Sequence, residues 1–260
     1  MTWWGINTVQ GRLEKVISNN IIRYDRMITD ETGKAWSPRH AALSISQFGS
    51  DPTLSLGQVE GSNNIVKITN AGGRGLDVYS ANLGAPLRHV NLQVSIYADD
   101  IGQDVTFSAI DIVYGENINV SKAKIVGRFL TAISAFNSQW INCDDSDISG
   151  TKDWAVIISN VTGQVSTSRL KVKGCLKGID ISGSSNISAN SNEFQNMGST
   201  DAISLFNNAV ITCQNNLFNG GDGKVITGGS TEKYLIENNV GFSDITPISQ
   251  TVISDISSWG

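Results

Sequence analysis

The sequence predicts an all-β fold, a right-handed parallel β-helix with about 23 residues per coil. Three observations predict it. Aliphatic residues recur in three series at one shared period, so each series predicts one strand per coil. Asn, Ser, Gly and Asp separate the series, and these residues favour tight turns over helix interiors. Short alternating segments upstream, such as those around residues 90–96 and 110–120, predict earlier and less regular coils.

The three series can be read directly from the chain. The first, with separations of 23, 23, 24 and 22 residues, is Ile133, Val156, Ile179, Ile203 and Val225. The second is Ile141, Val165, Ile187, Ile211 and Leu235. The third is Ile148, Leu170, Phe194, Phe218 and Phe242. Leucine-rich repeats share this period but need a Leu-dominated consensus and a second helical arm, so they are the less favoured alternative.

Stacked coils place equivalent residues in ladders about 4.8 Å apart. Asn190, Gln214 and Asn238 are 24 residues apart and predict an amide ladder with a structural role.

The chain divides into three predicted segments. Residues 1–60 form an N-terminal cap or attachment segment, in which Val9, Leu13 and Val16 have helical spacing. Residues 61–244 form the β-helix, and residues 245–260 form a C-terminal cap or an inter-subunit tail. A solenoid leaves its terminal coils uncovered, which is why both ends are expected to carry covering segments.

Composition excludes several classes of function. The net charge is −5, and no Lys/Arg run exceeds two residues, so we expect no nucleic-acid binding. No long apolar run or basic leader is present, so we expect neither membrane insertion nor a signal peptide. Cys143, Cys175 and Cys213 lack CxxC spacing and are interpreted as reduced, mostly packed thiols. We expect no cofactor and no metal site; the acidic string at residues 144–147 lacks the glycine and distal Glu of an EF-hand loop.

The run Asn238-Asn239-Val240-Gly241-Phe242, which closes the Asn/Ser/Gly-punctuated coils, resembles the end of the β-helix in bacteriophage tailspikes and tail fibres of the pectate-lyase-like superfamily. The resemblance covers roughly residues 64–244. It implies a homotrimer that works in the virion after assembly in the host cytoplasm, contacts other virion proteins and binds bacterial surface polysaccharide. In many members it also implies cleavage of that polysaccharide. The chain departs from these proteins in lacking a recognisable anchoring domain and a long trimerisation domain.

Two groups of side chains could carry chemistry. In the register of the third series, Asp147, Arg169 and Glu193 share one column. Asp147 and Glu193, two coils or about 9.6 Å apart, could be the catalytic pair of an inverting glycosidase. An outward salt-bridge ladder, which would contribute little to stability, is the alternative interpretation.

The second group lies at one turn edge and could bind glycan together with Arg169. An aromatic face beside acids and a cation suits a sugar, which offers an apolar face and many hydroxyl groups, but an ordinary solvated turn remains the alternative. Its members are Trp154, Lys177, Asp201, Asp153 and Asp222.

Three functions remain open. The first is a virion protein whose β-helix binds host glycan or serves as a rigid spike. The second is a polysaccharide depolymerase, a glycoside hydrolase rather than a lyase, since lyase chemistry needs a base and a cation and the Arg-His pairs at 39–40 and 88–89 offer little support. The third is an unrelated β-helix adhesin or structural solenoid.

Overall fold

The structure is a computed structural model that describes residues 6–9, 15–25, 41–47, 58–69, 74–80, 87–98, 108–229 and 233–247. Within these residues every regular element is a β-strand, and every strand pairing is parallel. The all-β, parallel class predicted from the sequence is therefore confirmed.

Most of the strands are short, and from β8 onward they follow one another at regular intervals. In chain order they are β1 (Ile6–Val9), β2 (Lys15–Val16), β3 (Ile21–Asp25), β4 (Ala41–Gln47), β5 (Gln58–Thr69), β6 (Arg74–Ser80), β7 (Leu87–Ala98), β8 (Ile110–Val113), β9 (Gly115–Asn119), β10 (Lys124–Val126), β11 (Ile133–Phe136), β12 (Trp140–Asn142), β13 (Asp147–Ser149), β14 (Trp154–Ser159), β15 (Gln164–Ser166), β16 (Lys171–Lys173), β17 (Lys177–Ser182), β18 (Asn186–Ser188), β19 (Glu193–Gln195), β20 (Asp201–Phe206), β21 (Val210–Gln214), β22 (Leu217–Asn219), β23 (Gly223–Gly228), β24 (Lys233–Glu237) and β25 (Phe242–Pro247).

The described strands form three stacked series. The first series is one sheet, ordered β1-β4-β6-β8-β11-β14-β17-β20-β23-β25. The second series runs β9-β12-β15-β18-β21-β24, and the third runs β10-β13-β16-β19-β22. The long strands β5 and β7 extend across both of these series and join them into one sheet. From β8 to β22 each repeat thus contributes one strand to each of three faces, which we call the first, second and third face.

Pairing on the first two faces follows the predicted apolar series closely. On the first face Ile133 pairs with Val156, and the column of register partners continues through Ile179 and Ile203 to Val225. On the second face it holds from Ile141 to Ile211, after which Tyr234 takes the place predicted for Leu235.

The predicted third series is wrong at two positions. Ile148 pairs with Val172, and Val172 pairs with Phe194, so Leu170 is not in this column. Phe242 pairs with Gly223 on the first face, although its ring packs 5.9 Å from that of Phe218, centroid to centroid.

A turn with a left-handed residue explains the error at Leu170. Between the second and third faces, Asp145, Arg169, Ser191 and Asn215 have φ values of 57°, 59°, 58° and 56°. The residue after each of them is buried before the strand begins, as Leu170 is. The buried residue of this turn, Leu170, precedes the buried strand residue, Val172, by two positions. The apolar pattern alone does not distinguish the two, so it places the strand of the third face two residues too early.

Inward amides fill this turn in the C-terminal coils. The side-chain oxygens of Asn192, Asn216 and Asn239 each accept a hydrogen bond from a backbone N–H of the preceding coil, at 2.9, 2.8 and 3.0 Å. The predicted ladder lies two residues earlier, and its side-chain amides do not bond to one another: the Gln214 backbone N–H donates to Asn190 Oδ1 at 2.8 Å, and the Gln214 side-chain amide donates to Glu237. Asn238 occupies the left-handed turn position with φ 54° and is not in that column.

The N-terminal strands belong to the same sheets. β1 pairs with β4 on the first face, and β2 and β3 pair with β5. Val9 and Val16 therefore lie in strands, so the helical spacing of this segment was misleading; Leu13 lies outside the described residues. The predicted boundary at residue 60 falls inside β5. Residues 248–260 of the predicted C-terminal tail and the Arg39-His40 pair also lie outside the described residues.

Candidate functional site

The third face carries a column of alternating charges. Lys124, Asp147, Lys171 and Glu193 are consecutive partners in the parallel register of β10, β13, β16 and β19. The middle residue of each strand points into the core, so these flanking residues point outward. Together with Lys173 and Gln195 they line a concavity of about 260 Å³, which we call the charged groove.

The structure corrects one member of the predicted catalytic column. Asp147 and Glu193 do share it, but the residue between them is Lys171, not Arg169. Arg169 lies in the left-handed turn, where its Nε is 2.6 Å from Asp145 Oδ1 and its Nη2 is 3.3 Å from Asp144 Oδ2. The hydrogen bond from Arg169 lowers the pKa of Asp145. Arg169 is therefore held in an ion pair beside the groove.

The two carboxylates are separated by one strand, which corresponds to about 9.6 Å between their backbone positions. Glu193 Oε1 accepts hydrogen bonds from the side-chain amides of Gln195 and Asn219. No ion pair within 4 Å joins Lys171 to Asp147 or Glu193 in the part of the chain that the structure describes. Lys171 and Asp147 are thus available to a ligand.

The turn edge brings together Trp154, Lys177 and Asp153. Trp154 and Lys177 are register partners, and the Lys177 ammonium lies 5.1 Å from the centroid of the Trp154 ring and 3.4 Å from Asp153 Oδ1. Asp201 begins the next strand of the same face. Lys177 thus pairs with the Trp154 ring and the Asp153 carboxylate, so most of the polar groups at this edge already have partners within the chain.

Asp222 is not at the position predicted for it. An irregularity between Asp201 and Ile203 pairs Asp201 with Lys224, and Asp222 lies two residues before Lys224. Its exposed side chain is therefore displaced from the position equivalent to Asp153. A bulge of this kind shifts the register of everything before it by one residue, which the spacing of aliphatic residues does not reveal.

The first face holds two carboxylates that sequence reasoning missed. Asp77 and Asp111 are register partners and are both buried. Arg74 Nε lies 2.8 Å from Asp111 Oδ2, and the Ser134 hydroxyl donates to Asp111 Oδ1 at 2.5 Å. Because both oxygens of Asp111 are engaged and the pair is shielded from solvent, this cluster is better suited to holding coils together than to meeting a ligand.

A further acid on the same face, Asp180 in β17, is partly buried. Burial raises the pKa of Asp180, and this effect is opposed by the Ser204 hydroxyl, which donates to Asp180 Oδ1 at 2.8 Å, and by the charge of Lys177.

A second concavity, on the second face, was also missed. It has a volume of about 340 Å³, and we call it the Trp140 shelf. Its lining residues are Trp140, Ile141, Asn117, Asn142, Asp144, Gln164 and Ser166. The alternation that predicts an inward Ile141 also predicts an outward Trp140, so the signal was present in the sequence.

Comparisons with family models, curated proteins and solved structures found no match to this chain. Among the residues that the structure describes, no helix is long and apolar enough to cross a membrane. The same part of the chain has no group of three or more His, Cys, Asp or Glu side chains placed to hold a metal ion.

Proposed function

We propose that this chain is the right-handed parallel β-helix of a bacteriophage tailspike- or tail-fibre-type virion protein, and that it binds a polysaccharide of the host surface. The charged groove carries the proposal. It is a concave surface on a rigid stack, and its outward side chains repeat at the strand spacing of about 4.8 Å. A polymer with a regular repeat can contact such a surface several times along its length.

The handedness belongs to the proposal and has a physical reason. Each strand of the first face connects to its parallel neighbour through the strands of the other two faces. Crossover connections between parallel strands of one sheet are right-handed in about 98% of cases, because of the strand twist.

The groove favours a glycan that carries anionic groups. Lys124, Lys171 and Lys173 are exposed and come from two strands of the same face, while Asp147 and Glu193 offer acceptors for hydroxyl groups. Charged contacts of this kind set specificity and association rate.

The experiment is a binding assay with purified bacterial capsular and lipopolysaccharide glycans, following retained binding and chain length together. We expect at least one acidic glycan to bind, and we expect Lys171→Ala to weaken binding while Lys233→Ala, which removes an exposed lysine from the second face, does not. The proposal is contradicted if none of the glycans binds, or if Lys171→Ala and Lys233→Ala weaken binding equally.

Trimerisation is tested separately. The chain should sediment at about 84 kDa, three times its mass of 27.9 kDa. A stable monomer would argue against the tailspike assignment while leaving glycan binding to be judged by the assay above.

A second candidate function, polysaccharide depolymerisation, is favoured by one observation: Asp147 and Glu193 lie on either side of Lys171 in a single column. Their backbone spacing of about 9.6 Å is near the upper limit for an inverting glycosidase pair, which needs room for a water molecule. If the glycan is shortened, Asp147→Asn and Glu193→Gln should each abolish cleavage while preserving binding. Unchanged turnover in either variant would remove that residue from a catalytic role.

A further inference from the structure

We propose that the Trp140 shelf is a separate binding site for a neutral pyranose sugar, distinct from the charged groove. Trp140 is 46% exposed, whereas the next residue of the same strand, Ile141, is buried. The register partners of Trp140 on the two neighbouring strands are Asn117 and, by the continuing register, Gln164. The ring is thus flanked by polar side chains and is not part of an apolar patch.

The Trp140 ring contacts the backbone of the next coil at Gly163. A methyl group added at Gly163 would lie 3.0 Å from a carbon of the Trp140 ring and 2.4 Å from the Gln139 carbonyl oxygen. The indole therefore rests on the backbone of the next coil, at a position where only glycine leaves enough room. The Gly163 backbone therefore lies against part of the Trp140 ring, and the rest of the residue is exposed to solvent.

Polar groups surround the ring. The side-chain amides of Asn117 and Gln164 make no hydrogen bonds within the described part of the chain, so their donors and acceptors are open to a ligand. Ser166 and Asn142 complete the rim on the neighbouring column of the same face.

The only charged residue of the rim is already engaged. Asp144 Oδ1 accepts hydrogen bonds from the Ser166 hydroxyl and the Ser168 N–H, both at 2.7 Å, and Asp144 Oδ2 meets Arg169. Its charge is therefore compensated, and its geometry is fixed from several directions. The shelf presents no uncompensated charge to a ligand.

This combination identifies the ligand class. A pyranose ring has an apolar face of C–H groups and a rim of hydroxyl groups, so it can stack on an indole while its hydroxyls bond to surrounding amides. A protein partner would need contiguous apolar surface, which this face lacks around Trp140. A nucleobase could stack on the ring, but its phosphates would need cations, and no lysine or free arginine lines the shelf.

The test titrates the full chain with cellohexaose, maltohexaose, mannohexaose and galactohexaose, with hexagalacturonate as an acidic probe and hexathymidylate as a nucleic-acid probe. Binding is followed by NMR of the indole N–H groups and by calorimetry. We expect at least one neutral oligosaccharide to bind with a millimolar or better affinity and to shift one indole signal, which Trp140→Phe removes from the spectrum.

Trp140→Ala should weaken that affinity about tenfold or more, equivalent to about 1.4 kcal/mol. Gln164→Ala should weaken it less. Val240→Ala, which removes another exposed apolar side chain at the far end of the stack, should leave it unchanged. Thermal unfolding of each variant confirms that the fold is intact.

Lys171→Ala separates this site from the charged groove, since it should weaken acidic glycans and spare the neutral ligand. The inference is overturned if none of the neutral oligosaccharides binds, if their binding is indifferent to Trp140→Ala, or if hexathymidylate binds in a Trp140-dependent way. If the neutral oligosaccharides bind but the acidic glycans do not, the result counts against glycan binding at the charged groove and not against the Trp140 shelf.

Discussion

Replacing Thr167 with valine should make the protein more stable. Thr167 is fully buried, and its hydroxyl has no hydrogen-bond partner in the structure. The side-chain Nδ2 of Asn192 is likewise buried and has no hydrogen-bond partner. Valine has nearly the same shape as threonine, so Thr167→Val removes the unpaired hydroxyl without opening a cavity.

The expected gain follows from the desolvation of that hydroxyl. A hydroxyl buried without a partner costs about 1–3 kcal/mol in proteins. Because a side chain can relax slightly to reduce this cost, we expect Thr167→Val to raise the free energy of unfolding by about 1 kcal/mol. For a domain of this size, that corresponds to an increase of about 2–4 °C in Tm.

The chain offers a matched control. Thr151 is also buried, but its hydroxyl donates to the Asp153 carbonyl oxygen at 3.2 Å. Thr151→Val should therefore lower the free energy of unfolding by about 1 kcal/mol. Urea unfolding followed by circular dichroism measures both changes. A loss of stability in Thr167→Val equal to that in Thr151→Val would refute the reasoning and would indicate that an ordered water bonds to the Thr167 hydroxyl.

Three other predictions follow from buried polar and ionisable groups. Asn216→Ala removes side-chain hydrogen bonds with Ala189, Asn192 and Asn239, so it should lower the free energy of unfolding in urea by about 3 kcal/mol. Asn219 is exposed, and a comparable loss of stability in Asn219→Ala would contradict this account. Because burial raises the pKa of Asp180, the folded state binds more protons than the unfolded state between the two pKa values, so stability should fall as pH rises through that window. Asp180→Asn should flatten this dependence and raise stability at neutral pH; an unchanged pH profile would exclude the effect. Burial raises the pKa of the Cys213 thiol to about 12, so Ellman's reagent at mildly alkaline pH should label this thiol only after the protein unfolds. Rapid labelling of Cys213 in the native protein would show that the thiol is accessible.

The first and second faces could be predicted because aliphatic spacing alone determines their register. Ile133 to Val225 and Ile141 to Ile211 are inward residues of strands with the same period as the coil. The third face could not be predicted in the same way. Leu170 is as apolar and as buried as a strand residue, and only the left-handed conformation of Arg169 shows that the turn is still in progress.

The candidate site was predicted in part for the same reason. Asp147 and Glu193 share a column because Ile148 and Phe194, which follow them, were placed in the correct register, whereas Arg169 was misplaced together with Leu170 and lies in the turn. At the Trp140 shelf, alternation predicts the outward direction of Trp140, but the close approach of its ring to Gly163 of the next coil is a contact that linear spacing does not encode.

The alternation within each short strand has an evolutionary consequence. In β13, β16 and β19 the middle residue is buried, and the two flanking residues face outward. Backbone pairing and the inward column hold each coil, so an outward residue can be exchanged without repacking the interior. Each such exchange alters the surface at one defined height along the stack. Outward residues can therefore be replaced one coil at a time while the chain retains the same scaffold.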